Sequence, residues 1–290
     1  MPILSRHEIQ QLSPLLRGRF GSIMTRVAMR IFSIDKLNTL YDSNYHLSGP
    51  DFAHSILNDL GIRYKVIGNV ASLPNTSTEE HNKNSAFITI SNHPYGGIDG
   101  IILADFLGHA FPNYKIMANK ILERIETLAP SFITVTPTGT KRTSPTTNSI
   151  HGIKQALIHL QSGGALGLFP SGAVSDFNIQ KCDIRDREWQ IAAIRLIAKA
   201  RVPIIPIHFL DRNSWFYYAL GLIDWRIRLL RLPAEFFNKR NCPIRIAVGP
   251  IINIEEQQKY LATHSIEELS LWLRSKVYEI SDSKTIRTDS

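Results

Sequence analysis

Two patterns of apolar residues alternate along this chain, one typical of strands and the other of helices. Short runs of β-branched and aromatic residues, each of strand length, are separated by stretches in which apolar residues recur every three or four positions. Because parallel strands need helical crossovers, this alternation predicts an α/β fold, with a largely parallel central sheet flanked by helices. The predicted strands are 63–70, 86–91, 114–118, 132–135, 165–169, 203–209 and 244–248. The predicted helices are 51–60, 100–107, 120–128, 150–161, 188–200 and one that follows a capping box at Ser265 and Glu268.

Residues 1–60 differ from the rest because their pattern is mostly helical. We therefore expect a helical N-terminal segment, 1–60, followed by an α/β domain, 61–290. Over 15–34, apolar residues at helical spacing alternate with arginines, and no acidic residue is present. Two interpretations stay open for this helix, since a membrane-interfacial helix and a core-packed helix share the same amphipathic pattern. Polar loop residues are predicted at 71–85, and a frayed tail at 281–290.

Composition narrows the class of protein. With 43% apolar and 20% charged residues among 290, the chain is globular. The apolar runs are far shorter than the ~20 residues of a membrane span, and no signal-peptide pattern opens the chain. Two cysteines give no disulfide framework, which suits a reducing cytoplasm. The net charge of +8 favours phosphate-bearing partners such as anionic lipid, nucleic acid or a phosphorylated cofactor, although a merely basic soluble protein fits as well.

The most informative motif follows the strand predicted at 86–91. His93 comes directly after the strand, a Gly96-Gly97 pair follows, and Asp99 opens the next apolar run. This is a strand, a sharp turn and a helix start, at the edge of an open α/β sheet where ligands bind. A histidine steered by a carboxylate can take a proton from a hydroxyl, and paired glycines let a ligand approach closely. The structural alternatives are a turn-holding histidine and an aspartate that caps the helix.

Two further motifs accompany strands. Phe-Pro-Ser-Gly at 169–172 ends a strand in a turn whose backbone N–H groups at Ser171 and Gly172 could bind an anion, although a plain turn is the simpler reading. Val-Pro-Ile-Ile-Pro at 202–206 places two prolines at a strand start, which is usually structural.

Together these three motifs resemble those of the glycerophospholipid acyltransferase superfamily (1-acylglycerol-3-phosphate acyltransferase-like), and most closely its hemolysin-like or lysophospholipid acyltransferase-like bacterial branch. The blocks are Asn-His-Pro-Tyr-Gly-Gly-Ile-Asp-Gly at 92–100, 169–172 and 202–206, and the resemblance extends over 60–252. Two departures stand out. His93 and Asp99 are separated by five residues where most of the superfamily has four, and Ser171 replaces a glutamate that many relatives carry.

The resemblance implies an O-acyltransferase of membrane lipid biosynthesis. It would move a fatty acyl chain from acyl-CoA or acyl carrier protein to a lipid hydroxyl, on a lysophospholipid or an N-acyl amino acid lipid. His93 would be the general base, oriented by Asp99, with no metal or other cofactor. Substrate contacts are expected at Gly96, Gly97, Ser171 and Gly172, and phosphate contacts at Lys141, Arg142, Arg185 and Arg187. A solvated charged surface is the alternative for these four.

The implied location is peripheral, at the cytoplasmic face of the inner membrane. An anionic membrane surface is the expected partner and nucleic acid is not. The aromatic run 215–218, with Trp225, Arg226 and Arg228, would suit that surface, although core packing would explain the aromatic residues equally well. Two other functions remain: a non-catalytic lipid- or nucleic-acid-binding basic protein, and a lipid hydrolase. The second lacks a Gly-x-Ser-x-Gly nucleophile elbow.

Overall fold

A seven-stranded sheet forms the centre of the protein. The computed structural model describes residues 18–70, 73, 86–136 and 147–281. The strands lie in the order β1-β9-β8-β2-β5-β3-β4, and only the β8–β9 pair is antiparallel within this sheet. The predicted α/β fold with a largely parallel sheet is confirmed. The strands are β1 Arg63–Gly68, β2 Ile88–Ser91, β3 Tyr114–Asn119, β4 Phe132–Val135, β5 Ala165–Leu168, β8 Ile204–Phe209 and β9 Pro243–Val248; a separate ribbon pairs β6 Asp176–Asn178 with β7 Asp183–Arg185.

Helices cover both faces of the sheet. Buried side chains of α2, α3 and α4 form one apolar core with the strands, and those of α5, α6 and α10 form a second core on the other face. Burial on both faces explains why the strands read as nearly continuous apolar runs. The helices are α1 Gly18–Ile31, α2 Ile34–Asn44, α3 Gly49–Asp59, α4 Gly97–Ala110, α5 Thr147–Gln161, α6 Ile191–Ala200, α7 Trp215–Ile223, α8 Trp225–Asn238, α9 Ile254–Leu261 and α10 Ile266–Tyr278.

Several predicted elements differ from the structure. The helix predicted at 120–128 is instead two short 3-10 helices, Lys120–Arg124 and Glu126–Ser131, because Ile125 leaves the helical region between them. The ribbon β6–β7 and the helices α7, α8 and α9 were not predicted. The predicted loop 71–85, apart from Leu73, and the predicted tail after 281 lie outside the described residues.

The first described helix, α1, has one side buried and one exposed. Met29 packs with Ile34, whereas Ile23, Val27 and Ile31 form an exposed apolar stripe beside exposed arginines. The division of the chain at residue 60 stays a prediction. Within the described ranges, none of the helices combines the length and the apolar character needed to cross a bilayer.

Candidate active site

His93 and Asp99 meet at the carboxyl end of the central strand β2. The strand stops at Ser91, and α4 begins at Gly97, so the turn between them carries the imidazole while the helix carries the carboxylate. Nδ1 of His93 lies 2.8 Å from Oδ2 of Asp99, at ion-pair distance although outside good hydrogen-bond geometry. The histidine side chain is 19% exposed and the aspartate is fully buried. One end of the imidazole is therefore anchored while part of the ring faces solvent.

Asp99 is also held by the backbone of its own turn. Its Oδ2 accepts hydrogen bonds from the N–H groups of Tyr95 (3.0 Å) and Gly96 (2.9 Å). Burial raises the pKa of Asp99, and the contact with His93 and these two amides oppose that shift. The same carboxylate thus stabilises the first turn of α4 and contacts the imidazole, so the structural and the functional reading of this residue are compatible.

The two glycines of the turn make room for helix α8. Gly96 has φ +84°, a conformation that disfavours side chains, and a Cβ there would lie 3.1 Å from atoms of Leu232 and Val174. A Cβ on Gly97 would lie only 2.6 Å from the ring of Phe236. Close helix packing is thus one reason for glycine at both positions, and their substrate-binding role stays a prediction.

The Phe-Pro-Ser-Gly turn after β5 lies beside the imidazole, since β5 is the neighbour of β2. The Phe169 ring packs on the His93 ring with centroids 4.1 Å apart. Ser171 is buried and its hydroxyl donates to the carbonyl of Ala173 (2.7 Å). The N–H of Gly172 donates to the carbonyl of Phe169 (2.9 Å). Both groups are engaged within the turn itself, and their contact with a substrate stays a prediction.

The other neighbour of β2 is β8, which carries the third motif. The motif, 202–206, begins two residues before β8 and ends at its third residue, Pro206, which faces Ile90 in register. Since β2 and β8 are parallel, this motif lies toward the opposite edge from His93. The carboxyl end of β8 is tied to the site instead: the Asn92 amide donates to the carbonyl of Phe209 (2.9 Å) and accepts from its N–H (2.8 Å).

A second buried carboxylate, Asp186, supports the backbone of His93 and was missed by the sequence analysis. Its Oδ1 accepts from the N–H of His93 (3.1 Å) and from the hydroxyl of Ser175 (2.6 Å), and its Oδ2 accepts from the indole of Trp189 (3.2 Å). Burial raises the pKa of Asp186, and these hydrogen bonds oppose the shift. The backbone of Asp186 is itself held by α10, because its N–H donates to the Tyr278 hydroxyl (2.8 Å).

The predicted phosphate contacts fall into two groups. Arg185 and Arg187 flank Asp186, close to the site, and each is paired with a carboxylate: Arg185 with Asp183 (2.6 Å) and Arg187 with Asp176. Lys141 and Arg142 lie outside the described residues. Phosphate binding by all four stays a prediction.

Helices α7 and α8 cover the outer side of the His93 turn. The Tyr218 hydroxyl donates to the carbonyl of Pro94 (3.1 Å), and the Asn213 amide donates to the carbonyl of Tyr95 (3.3 Å). Tyr217 and Tyr218 are buried, unlike the first two members of the aromatic run 215–218. Arg228, expected at a membrane face, is also buried, because its guanidinium binds the carbonyl of Ser175 (3.2 Å) and the carboxylate of Asp176.

Another histidine–carboxylate group lies toward the other end of α4. The Asp105 carboxylate is 3.1 Å from both His54 and His109 and accepts from the Tyr64 hydroxyl at 2.8 Å. The side chain of His54 is largely exposed and lacks the strand-end turn that surrounds His93. In the part of the chain that the structure describes, no three His, Cys, Asp or Glu side chains are grouped so that they could hold a metal ion.

Comparisons with known proteins identify relatives over most of the chain. A family model described as Acyltransferase matches residues 9–286. A lyso-glycine lipid O-acyltransferase of Bacteroides thetaiotaomicron is 29% identical over 229 residues, which are 76% of this chain and 77% of the relative. A protein of the same name from Phocaeicola vulgatus is 27% identical over 255 residues, 85% of this chain and 83% of that one. The crystal structure of the 1-acyl-sn-glycerophosphate acyltransferase of Thermotoga maritima aligns with a TM-score of 0.46 at 12% identity, covering 91% of this chain and 97% of the other.

The glycines of α4 give a first prediction. Gly97→Ala should destabilise the fold by about 1–3 kcal/mol, because the new methyl group would overlap the Phe236 ring. Gly100→Ala is the matched control in the same helical turn. Its Cβ would meet nothing within 4 Å, so the change should be neutral or stabilising by up to about 1 kcal/mol. Urea unfolding measures both, and equal effects would contradict the packing argument.

Asp186 gives a second prediction. Asp186→Ala should lower the free energy of unfolding by about 2–4 kcal/mol, because buried donors on His93, Ser175 and Trp189 lose their acceptor. Asp183→Ala, three residues away, removes an exposed ion pair and should cost less than about 1 kcal/mol. Denaturant unfolding followed by circular dichroism compares the two, and an Asp186 variant as stable as the Asp183 variant would refute the supporting role.

Proposed function

This chain belongs to the acyltransferase family, and we propose that it transfers a fatty acyl group from a thioester to the hydroxyl of a membrane lipid. The single observation that carries the proposal is the 2.8 Å contact between His93 and the buried Asp99 at the end of β2. Family membership favours acyl transfer over the lipid hydrolase and over the non-catalytic basic protein.

In the proposed reaction, His93 is the general base. Asp99 faces Nδ1, so Nε2 takes the proton from the acceptor hydroxyl as its oxygen bonds to the thioester carbonyl carbon. The carbon–sulfur bond then breaks, and the leaving thiolate receives the proton back from the imidazolium. Asp99 holds the ring and stabilises its charged form, as the acidic member does in a Ser-His-Asp triad. The substrate hydroxyl takes the place of the enzyme serine, so no covalent acyl-enzyme is required.

The proposed acceptor is an N-acyl amino acid lipid of the lyso-glycine lipid type. Two observations support it: both curated relatives are named lyso-glycine lipid O-acyltransferases, and Ser171 stands where many of the superfamily have a glutamate. A lysophospholipid is the second candidate. The proposed donor is acyl-CoA or acyl carrier protein, since the net charge of +8 attracts the phosphates of either. We place the enzyme peripherally at the cytoplasmic face of the inner membrane, on an anionic lipid surface.

The test of the general base uses two histidines. His93→Ala should lower acyl transfer by at least about 10²-fold, because proton removal from the acceptor loses its base. His54→Ala also removes a histidine next to a buried aspartate on α4, and it should retain activity. The assay follows a labelled acyl chain into lipid, with circular dichroism to show that both variants are folded. Substantial turnover by the His93 variant would defeat the assignment.

The acceptor is tested by competition. Purified protein with acyl-CoA, and separately with acylated carrier protein, is given an equimolar mixture of lyso-glycine lipid and lysophosphatidic acid. Mass spectrometry should show acylated glycine lipid in excess by at least about 10-fold. A larger yield of phosphatidic acid would instead identify the lysophospholipid as the acceptor and leave the His93 result unaffected.

A further inference from the structure

Helices α7 and α8 have two chemically different faces. The inner face bonds to the active-site turn through Tyr218 and packs Phe236 against Gly97, and Asn213, directly before α7, bonds to the same turn. The outer face carries large apolar side chains that are between 40% and 76% exposed. We define this outer face by its seven residues: Trp215, Phe216, Leu222, Ile223, Trp225, Leu229 and Leu230. Large apolar side chains exposed together on two neighbouring helices mark an interaction site.

The charge around the outer face is positive. Residues 212–231 contain four arginines and one acidic residue; Arg228 is buried against Asp176, and Arg231 lies 3.5 Å from the buried carboxylate of Glu235. The Arg212 guanidinium lies 4.4 Å from the centroid of the Trp215 ring, and that of Arg231 lies 5.3 Å from the centroid of the Phe216 ring. Aromatic rings with cations beside them are typical of the region where lipid headgroups meet acyl chains. An anionic bilayer is therefore complementary to this face in both polarity and charge.

We propose that the outer face of α7 and α8 inserts into an anionic lipid bilayer and brings the His93 turn to the membrane surface. The proposal rests on the proposed function, since a lipid acceptor is what gives the site reason to lie there. An amphipathic element of this kind reaches roughly 5–10 Å into the bilayer, at the boundary of headgroups and acyl chains. Tyr218, on the inner face of α7, bonds to the Pro94 carbonyl, and Asn213, directly before α7, bonds to the Tyr95 carbonyl. The inserted surface is therefore joined to the catalytic turn by direct contacts.

Intrinsic fluorescence tests insertion without any destabilising change. Two of the four tryptophans, Trp215 and Trp225, lie on the outer face, and Trp189 is buried in the core. Vesicles of phosphatidylglycerol and phosphatidylcholine that carry brominated acyl chains should quench the emission of the full-length protein. The quenching should be largely lost in the Trp215→Phe, Trp225→Phe double variant. Equal quenching in that variant, or none in the wild type, would overturn the proposal.

Vesicle sedimentation provides a matched pair of variants. Phe216→Glu with Ile223→Glu places two carboxylates on the outer face, and binding to the anionic vesicles should fall by at least about 10-fold. Ile158→Glu with Leu271→Glu changes two other exposed apolar residues, 54% and 63% exposed, on α5 and α10. These helices pack on the other face of the sheet, so binding should be unchanged. Equal binding by both double variants would contradict insertion. A wild-type dimer that the outer-face substitutions dissociate and the control substitutions do not would also contradict it, because the outer face would then be a dimer interface.

Failure of this proposal can be told apart from failure of the proposed function. With acceptor dispersed in detergent, the outer-face variant should keep its acyl transfer rate, whereas on vesicles the rate should fall together with binding. The His93→Ala variant should bind vesicles like the wild type and transfer nothing in either assay. If the wild-type protein binds vesicles through the outer face but has no transferase activity, the proposed function is refuted and insertion is not. Full vesicle activity in the outer-face variant would refute insertion alone.

Discussion

The geometry of the site depends on a buried carboxyl group at the end of the central strand. Asp99 is fully buried, and a carboxylate in that position must be compensated by nearby donors. The turn supplies two of them, because the backbone amides of Tyr95 and Gly96 donate to Oδ2, and the His93 imidazole contacts the same oxygen. This requirement determines the conformation of the turn, the start of α4 and the orientation of the His93 ring together. Asp186, which directly follows the ribbon strand β7, adds a second carboxylate that accepts from the backbone N–H of His93. The turn is therefore held both by Asp99 of α4 and by the residue after the ribbon.

Strand order then determines what surrounds this turn. β2 lies between β8 and β5, so the segments that follow these three strands meet at one edge of the sheet. Phe169 arrives from β5 to pack on the imidazole, and Asn92 connects the end of β2 to the end of β8. Helices α7 and α8 then cover the turn, and the glycines at 96 and 97 set how closely α8 approaches. The family membership agrees with the resemblance drawn from the three sequence motifs, although only two of them lie at this edge.

Local signals in the sequence were enough to predict the central sheet, the His93–Asp99 pair and the capping box of α10, where Ser265 and Glu268 bond reciprocally. Each of these depends on residues close together along the chain. The role of Asp186 could not be read in this way, because its contact with His93 spans 93 positions and no short motif signals it. Helices α7 and α8 were missed because both of their faces carry apolar residues, which removes the periodic contrast on which helix prediction relies. The 3-10 pair after β3 was mistaken for one helix since its apolar spacing is helical, and only the backbone at Ile125 separates the two turns.

The antiparallel strand β9 has a consequence for biosynthesis. Among the described strands β1 pairs only with β9, and the backbone of Asp186 is held by Tyr278 from α10. Both partners leave the ribosome long after the segments that need them. The nascent polypeptide must therefore keep the edge of β1 unpaired until β9 has been synthesised, and such long-range pairing is a feature of high contact order and slow folding. The backbone support of the His93 turn, which passes from Tyr278 through Asp186, likewise cannot be complete before α10 has been synthesised.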